Sequence, residues 1–286
     1  MSFTFDFFQQ EEGIGNVVRD VSINNNNIDS IDINSLEVVY LNNIDINTHQ
    51  FIEFEVHSKR FYQSTNHYHS GLDEERDLVP GKYEGGYKLW ECAIDLVKYL
   101  LQKESHTVLS SSSSNSNVLE LGCGHGFPGI TALRMGYKSV LFSDMNREVL
   151  EQTTWPNIIK NSNNNSNYNV NTCRCISGDW DLLSLGLQKG NYVDVPILFG
   201  LILSAETLYT SVHCRKVYEM LIKHLDVNGI ALIATKRYYF GVGGGSLELE
   251  QTVKSCSNGQ LAFSIIEVYE DGQSNIRELI QITKIF

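Results

Sequence analysis

The chain has no surplus of positive charge. In its 286 residues 22 Lys and Arg stand against 34 Asp and Glu, a formal net charge of −12. A broad nucleic-acid footprint needs clustered cations on the phosphates and is disfavoured. A basic protein partner suits an acidic surface, which also serves plain solubility. None of the six cysteines (Cys92, Cys123, Cys173, Cys175, Cys214, Cys256) sits in a Cys-x-x-Cys pair. They read as small core residues of a reduced compartment. Cys173-x-Cys175 points two sulfurs to one strand face and His67-x-His69 is a lone pair, but neither has the further ligands that zinc needs. Long apolar runs are missing too. The longest, near Pro196–Leu203, falls far short of the ~20 residues that cross a bilayer. No basic stretch followed by an apolar core opens the chain. The expectation is a soluble monomer of the cytoplasm, with the nucleus as a second compartment, that binds neither metal, membrane nor nucleic acid directly.

What is present is organised around Val118-Leu-Glu-Leu-Gly-Cys-Gly-His-Gly-Phe-Pro-Gly129. An apolar run ends in an acid, glycines crowd together, and helix-like apolar residues follow. This spells a buried strand, a tight turn and a helix start, with glycines that let backbone approach a ligand. A second strand, Ser139–Ser143, ends at Asp144, where nucleotide-binding α/β folds grip a ribose. The pair predicts a cofactor site. An apolar content of 42% suffices for a proper core.

Around this centre the chain reads as alternating β and α. Residues 1–75 are expected to be an N-terminal extension, partly disordered. It holds an aromatic stretch at Met1–Phe8, an asparagine tract at Asn24–Asn27, and two short segments, Val38–Leu41 and Phe51–Val56, predicted as strands of a peripheral hairpin. Residues 76–286 are predicted to be one domain. A glycine-rich loop precedes a helix opened by Trp90, with Ile94, Val97 and Leu101 on its inner face. Loop and helix start are expected to fold over the cofactor. The serine tract Ser110–Asn117 is a linker placed away from the site. Asn146–Lys160 is a helix broken or kinked by Pro156. Pro196–Leu203 is a central parallel strand buried on both faces and ends at Ser204-Ala-Glu-Thr-Leu-Tyr209, so Ser204, Glu206, Thr207 and Tyr209 stand where open α/β sheets bind ligands. Leu261–Tyr269 and Ile276–Phe286 form a terminal hairpin about Asp271-Gly272.

The glycine turn alone is ambiguous, because Gly124-x-Gly126-x-x-Gly129 also fits a dinucleotide fingerprint. Two points favour S-adenosylmethionine: the form Glu120-x-Gly122-x-Gly124-x-Gly126 and the terminal hairpin. Together, Asp77-Leu-Val-Pro-Gly-x-Tyr-Glu-Gly-Gly, Leu89-Trp-Glu-Cys92, Val118–Gly126, Gly178-Asp-Trp180, Ser204–Tyr209 and Tyr239-Phe-Gly-Val-Gly-Gly-Gly245 resemble the histidine protein methyltransferase family over residues 77–286. These are class I, S-adenosylmethionine-dependent enzymes related to the protein-lysine methyltransferases. The asparagine and serine tracts depart from the family and fall between motifs.

The resemblance implies a seven-stranded, Rossmann-like α/β sheet with a C-terminal antiparallel hairpin. It implies cofactor contacts at Leu89, Trp90, Glu91, Cys92 and Ala93, at Gly122 and Gly124, at Asp144, Met145 and Asn146, at Gly178, Asp179 and Trp180, and at Ser204. Asp144 is expected to accept both ribose hydroxyls. Asp179 and Trp180 are expected to hold adenine, and Trp90 and Gly122 to surround the methionine end. Glu206 and Tyr209 resemble the acid-x-x-aromatic motif that lines the methyl-acceptor channel of the lysine enzymes, and are the predicted catalytic pair. Either one can hold the N–H of an acceptor imidazole, although Glu206 can equally be a helix cap. The implied substrate is a histidine in a large-subunit ribosomal protein. A lysine methyltransferase of the same fold and a silent cofactor-binding adaptor are the competing readings.

Overall fold

The computed structural model describes residues 36–41, 44–65, 83–103, 115–162, 169–192, 195–270 and 276–286. In chain order its strands are β1 (Glu37–Val39), β2 (Phe51–Val56), β3 (Lys59–Ser64), β4 (Asn117–Leu121), β5 (Ser139–Asp144), β6 (Cys173–Ser177), β7 (Phe199–Ala205), β8 (Leu225–Lys236), β9 (Leu261–Tyr269) and β10 (Arg277–Lys284). The helices are α1 (Glu91–Lys103), α2 (Phe127–Arg134), α3 (Arg147–Val149), α4 (Trp155–Ser162), α5 (Trp180–Gln188), α6 (Ser211–His224) and α7 (Ser246–Cys256). His67, His69, the Leu-Val-Pro-Gly run, the Asn24–Asn27 tract, the N-terminal aromatics and the Asp271-Gly272 turn lie outside the described residues.

The main sheet runs β1-β6-β5-β4-β7-β8-β10-β9. Strands β4 to β8 pair in parallel, and β10 pairs antiparallel with both β8 and β9. The unbroken apolar character of the central strands follows from two cores. Val118, Leu201 and Leu203 face one core, while Leu119, Leu121 and Ile202 face the other. Helices α1, α2 and α4 cover the first face, and α5, α6 and α7 the second. Each such Leu or Ile, fully buried, contributes about 1.5–3 kcal/mol.

The sheet has eight strands among the described residues, one more than predicted. The extra strand comes from the supposed extension: Val38 and Val39 pair with Ile176 and Cys175 at the edge of the sheet. The expected hairpin between Val38–Leu41 and Phe51–Val56 is therefore corrected. Phe51–Val56 pairs instead with Lys59–Ser64, as a separate two-stranded sheet. Both pieces are packed on the domain. Phe61 is fully buried, stacked on Phe54 and edge-on to Phe127, and Trp155 Nε1 donates to Val39 O at 2.8 Å.

Pro156 acts as expected, through the carbonyl it cannot serve. Between α3 and α4 the helix widens into a π turn, Leu150–Thr154. A proline at 156 has no N–H for the carbonyl four residues back. That carbonyl, Gln152 O, accepts from Ser64 Oγ at 3.1 Å instead, so the β2–β3 hairpin completes the helix. At the opposite end of the sheet from the glycine turn, the serine tract terminates in Asn115, whose side chain bonds Leu198 O and Asp226.

Candidate active site

The chain steps from β4 to β5 to β6, then returns to place β7 on the other side of β4. The carboxyl ends of β4 and β7 are thus a topological switch point, where such sheets leave a crevice. A cavity of about 290 Å³ opens there. Its walls come from the turns after β4, β5, β6 and β7, the first turns of α6, and the loop 83–90 that leads into α1.

The glycine turn is shaped by close approach. Gly122 has φ +60°, and a Cβ there would lie 2.6 Å from Thr207 Cγ2. Across the cavity a Cβ on Gly86 would meet Val149 at 2.8 Å and Asp144 Oδ2 at 3.3 Å, so the 83–90 loop sits directly on the acid. Further ties hold this loop down. His125 Nε2 lies 2.9 Å from Tyr87 O and the Glu84 N–H donates to Asn146 Oδ1 at 3.1 Å, while within the loop Trp90 Nε1 donates to Gly85 O at 3.0 Å.

Asp144 ends β5 and is buried. Its Oδ1 accepts the Asn146 N–H and its Oδ2 the Gly124 N–H, each at 3.0 Å. Burial pushes its carboxyl up to about 6, against the pull of those backbone donors, and nearby Glu84 adds to the rise. Glu120, two residues before Gly122, accepts the Gly129 N–H at 2.8 Å and so ties β4 to the start of α2; burial raises its carboxyl well above the ordinary range. Asp179 caps α5 by accepting the Asp181 N–H at 2.9 Å, and its other oxygen pairs with Lys216 Nζ at 2.5 Å. Trp180 lies alongside, edge-on to the His213 ring.

At the end of β7 the chain turns sharply, with Glu206 at φ +60°. Its carboxylate is buried in a four-member cluster. Oε1 pairs with Lys236 Nζ at 3.0 Å, while Oε2 accepts from the Cys92 thiol at 2.8 Å and the Tyr239 hydroxyl at 2.9 Å. Glu206 is not a helix cap, since Thr210 caps α6 by accepting the His213 N–H at 3.2 Å. The Tyr209 hydroxyl donates to Glu84 and lies 3.0 Å from His213 Nε2.

Of the predicted contacts, Leu89, Trp90, Ala93, Gly122, Gly124, Asp144, Met145, Gly178, Asp179, Trp180, Glu206 and Tyr209 all line this cavity. Glu91, Cys92, Asn146 and Ser204 do not. Glu91 turns outward to Arg277 at 3.0 Å. Cys92 is buried behind Glu206. Asn146 holds the 83–90 loop from outside. Ser204 points between strands, bonding Thr207 Oγ1 at 2.5 Å and Leu121 O at 3.3 Å; its neighbour Ala205 faces the cavity instead. Sequence reasoning missed Glu84, His125, His213 and Lys216 as lining residues. Glu84 belongs to the Asp77–Gly86 motif and His125 to the Val118–Gly129 motif, and 209, 213 and 216 follow helical spacing from Tyr209.

Residues 80–240 match the family model described as lysine methyltransferase. The chain is 39% identical to a histidine protein methyltransferase 1 homolog of Dictyostelium discoideum over 212 residues, covering 74% of this chain and 62% of that protein. It is 33% identical to the homolog of Rattus norvegicus over 233 residues, 75% of this chain and 61% of the relative. The chain thus spans under two thirds of the length of these relatives. Among solved structures, a Streptococcus mutans protein described as a SAM-dependent methyltransferase superposes with a TM-score of 0.53 at 8% identity, over 82% of this chain and 55% of its own. A methyltransferase described as complexed with SAH gives 0.54 at 9% identity, over 81% of this chain and 55% of its own. These two likenesses speak for the fold alone.

Proposed function

The chain belongs to the methyltransferase family described as lysine methyltransferase, and from that premise we propose that it is an S-adenosylmethionine-dependent protein-histidine N-methyltransferase. The observation that carries the choice of histidine is the 39% identity to a relative named for that activity.

The cavity suits the cofactor chemically. Its walls bring the acids Glu84, Glu120, Asp144, Asp179 and Glu206 together with Lys88 and Lys216; Asp179 and Glu206 are ion-paired with Lys216 and Lys236. Asp144 with Glu84 nearby suits a neutral ribose diol and a sulfonium cation better than a pyrophosphate, which speaks against a nicotinamide dinucleotide. Asp144 would hold the ribose, Asp179 and Trp180 the adenine, and Trp90, Ala93 and Gly122 the methionine end. When bound, the cofactor supplies an electrophilic methyl group. The protein's part is alignment. A neutral imidazole keeps one lone-pair nitrogen for attack and one N–H to be held. Glu206 Oε2 already takes two donors and Oε1 is ion-paired with Lys236, so we assign the holding to Tyr209, with Glu206 bracing the turn that presents it. The 83–90 loop excludes water from the same space.

The substrate we propose is a histidine in a basic ribosomal protein of the large subunit, a partner matched to the −12 net charge. A second reading, lysine methylation, is favoured by the family description and by the Glu206-x-x-Tyr209 pattern. Labelled methyl transfer into lysate from cells lacking the enzyme, with the labelled residue mapped by mass spectrometry, tests both. Methylhistidine in a ribosomal protein supports the reading. Methyllysine moves the function to the second, and no label despite cofactor binding favours a silent adaptor.

A further inference from the structure

Glu84, Tyr209, His213 and Thr210 form a continuous hydrogen-bond chain along one wall of the cavity. The Tyr209 hydroxyl meets Glu84 Oε2, His213 Nε2 lies 3.0 Å from that hydroxyl, and His213 Nδ1 lies 2.6 Å from Thr210 Oγ1. The Tyr209 and His213 rings lie against each other, centroids 4.1 Å apart.

The direction of every proton in this chain follows from its ends. A carboxylate only accepts, so Tyr209 donates to Glu84. With that proton committed, the contact to His213 is a bond only if Nε2–H donates to the phenolic oxygen. His213 Nδ1 then carries a lone pair and accepts the Thr210 hydroxyl proton, while Thr210 Oγ1 accepts the backbone N–H of His213 at 3.2 Å. Burial lowers the His213 pKa, as does nearby Lys216, against an opposing pull from Glu84 and Asp179, which agrees with a neutral ring in this role. The phenolic oxygen thus gives its proton to Glu84, takes one from His213, and keeps one lone pair; among the described residues no other donor meets it. Toward the cavity Tyr209 is an acceptor only.

We propose that Glu84 and His213 are positioning residues that fix Tyr209 as the acceptor for the acceptor imidazole's N–H, a role that rests on the histidine reading above. As the lone-pair nitrogen of the imidazole forms its N–C bond, the sulfonium C–S bond breaks and its electron pair stays on sulfur. Positive charge grows on the ring. The remaining ring N–H points at Tyr209 oxygen, with the Glu84 carboxylate one bond behind. That proton passes to the phenolic oxygen as the phenolic proton passes to Glu84, which leaves a neutral methylimidazole.

The relay has a readout that needs no activity. Nitrogen-15 NMR of the imidazole side chains in the full-length protein is expected to show His213 as the Nε2–H tautomer, with loss of that single tautomer in Tyr209→Phe. An Nδ1–H tautomer in the wild type overturns the proposal. Methyl transfer into protein extract at saturating S-adenosylmethionine gives the second test. Glu84→Gln is expected to slow transfer about ten- to a hundredfold and His213→Ala about three- to tenfold, the scales of a charged and a neutral hydrogen bond. In a Tyr209→Phe background neither is expected to cost further rate. Additive losses there, or a Glu84→Gln defect confined to the affinity for S-adenosylhomocysteine, would reject the proposal and place Glu84 with Asp144 at the ribose. A wild type that labels only lysine refutes the underlying reading and leaves the NMR result standing.

Discussion

The Cys92 thiol, near the start of α1, donates a 2.8 Å hydrogen bond to Glu206 Oε2, 114 residues further on at the end of β7. Tyr239 donates to the same oxygen and Lys236 pairs with the other. Glu206 therefore joins two regions distant from it in sequence: the opening of α1, and the end of β8 with the loop just beyond it. It does so from a left-handed backbone, at φ +60°, which a glutamate does not adopt unless its surroundings impose it. Glu206→Gln removes the largely buried charge that Lys236 Nζ pairs with at 3.0 Å. Losing one member of such a pair costs about 3 kcal/mol. Denaturant unfolding is expected to show that loss together with a fall in turnover. Unchanged stability with lost turnover would make Glu206 a group that acts on the substrate rather than a brace.

Asp144 has a testable titration. Its carboxyl is pushed up to about 6 by burial, and the proposed ribose contact needs the carboxylate as acceptor. Binding of S-adenosylhomocysteine is therefore expected to weaken as pH falls through about 6, by roughly tenfold per unit below it. The stability of the free protein runs the other way. The folded state holds this proton at pH values where the unfolded chain has released it, so the group's contribution falls as pH rises from about 4 toward 6. Asp144→Ala is expected to cost about 1.5–3 kcal/mol of binding and to flatten the pH dependence. Calorimetry at pH 5 and pH 7.5 checks both, and an affinity indifferent to the substitution would remove Asp144 from the site.

Much of the site can be read in the sequence, because its chemistry is carried by turns directly after apolar strands. Asp144, Gly178–Trp180 and Glu206 each follow a run buried on both faces, and such runs have one place in an α/β sheet. What could not be read turns on register and long-range pairing. Ser204 and Ala205 differ by one position, and strand alternation sends one between strands and the other to the cavity. The alternation in Phe51–Val56 marks a strand without naming its partner, and the Lys59–Ser64 strand carries no apolar signal strong enough to claim it. Asn146 and Cys92 lie beside contacts but spend their side chains on the scaffold.

Gly122 tests how tightly the turn is built. At φ +60° an alanine is strained by about 1–2 kcal/mol, and its methyl would lie 2.6 Å from Thr207 Cγ2 and 3.5 Å from the Trp180 ring. Thr207 bonds Ser204 inside the sheet, so it has little room to yield. Gly122→Ala is expected to lower the unfolding midpoint and to weaken cofactor binding at least tenfold. Full affinity in a stable Gly122→Ala variant would show that the turn relaxes without touching the cavity.

Phe61 puts the status of the N-terminal segment to a test. As a plain extension, residues before 76 have no bearing on the cavity. In the structure Phe61 is fully buried. It stacks on Phe54 at 5.6 Å, meets Phe127 edge-on at 5.6 Å, and has the Arg134 guanidinium 4.4 Å over its ring. Phe127 lines the cavity and begins α2, the helix that Glu120 holds through Gly129. The same hairpin supplies Ser64 to the carbonyl orphaned by Pro156, and the Ser64 N–H to Asn157, which in turn bonds His125 O. A hole at Phe61 therefore opens directly behind the glycine turn. Phe61→Ala is expected to cost about 3–5 kcal/mol of stability, the range for a large aromatic removed from a packed core, and to weaken cofactor binding although no atom of Phe61 reaches the cavity. Phe61→Leu, which refills part of the volume, is expected to recover most of both losses. Chemical denaturation read beside calorimetric titration separates the outcomes: loss of stability with intact affinity would make the hairpin a prop for the fold alone, while parallel loss and parallel recovery would make it part of the machinery that shapes the site.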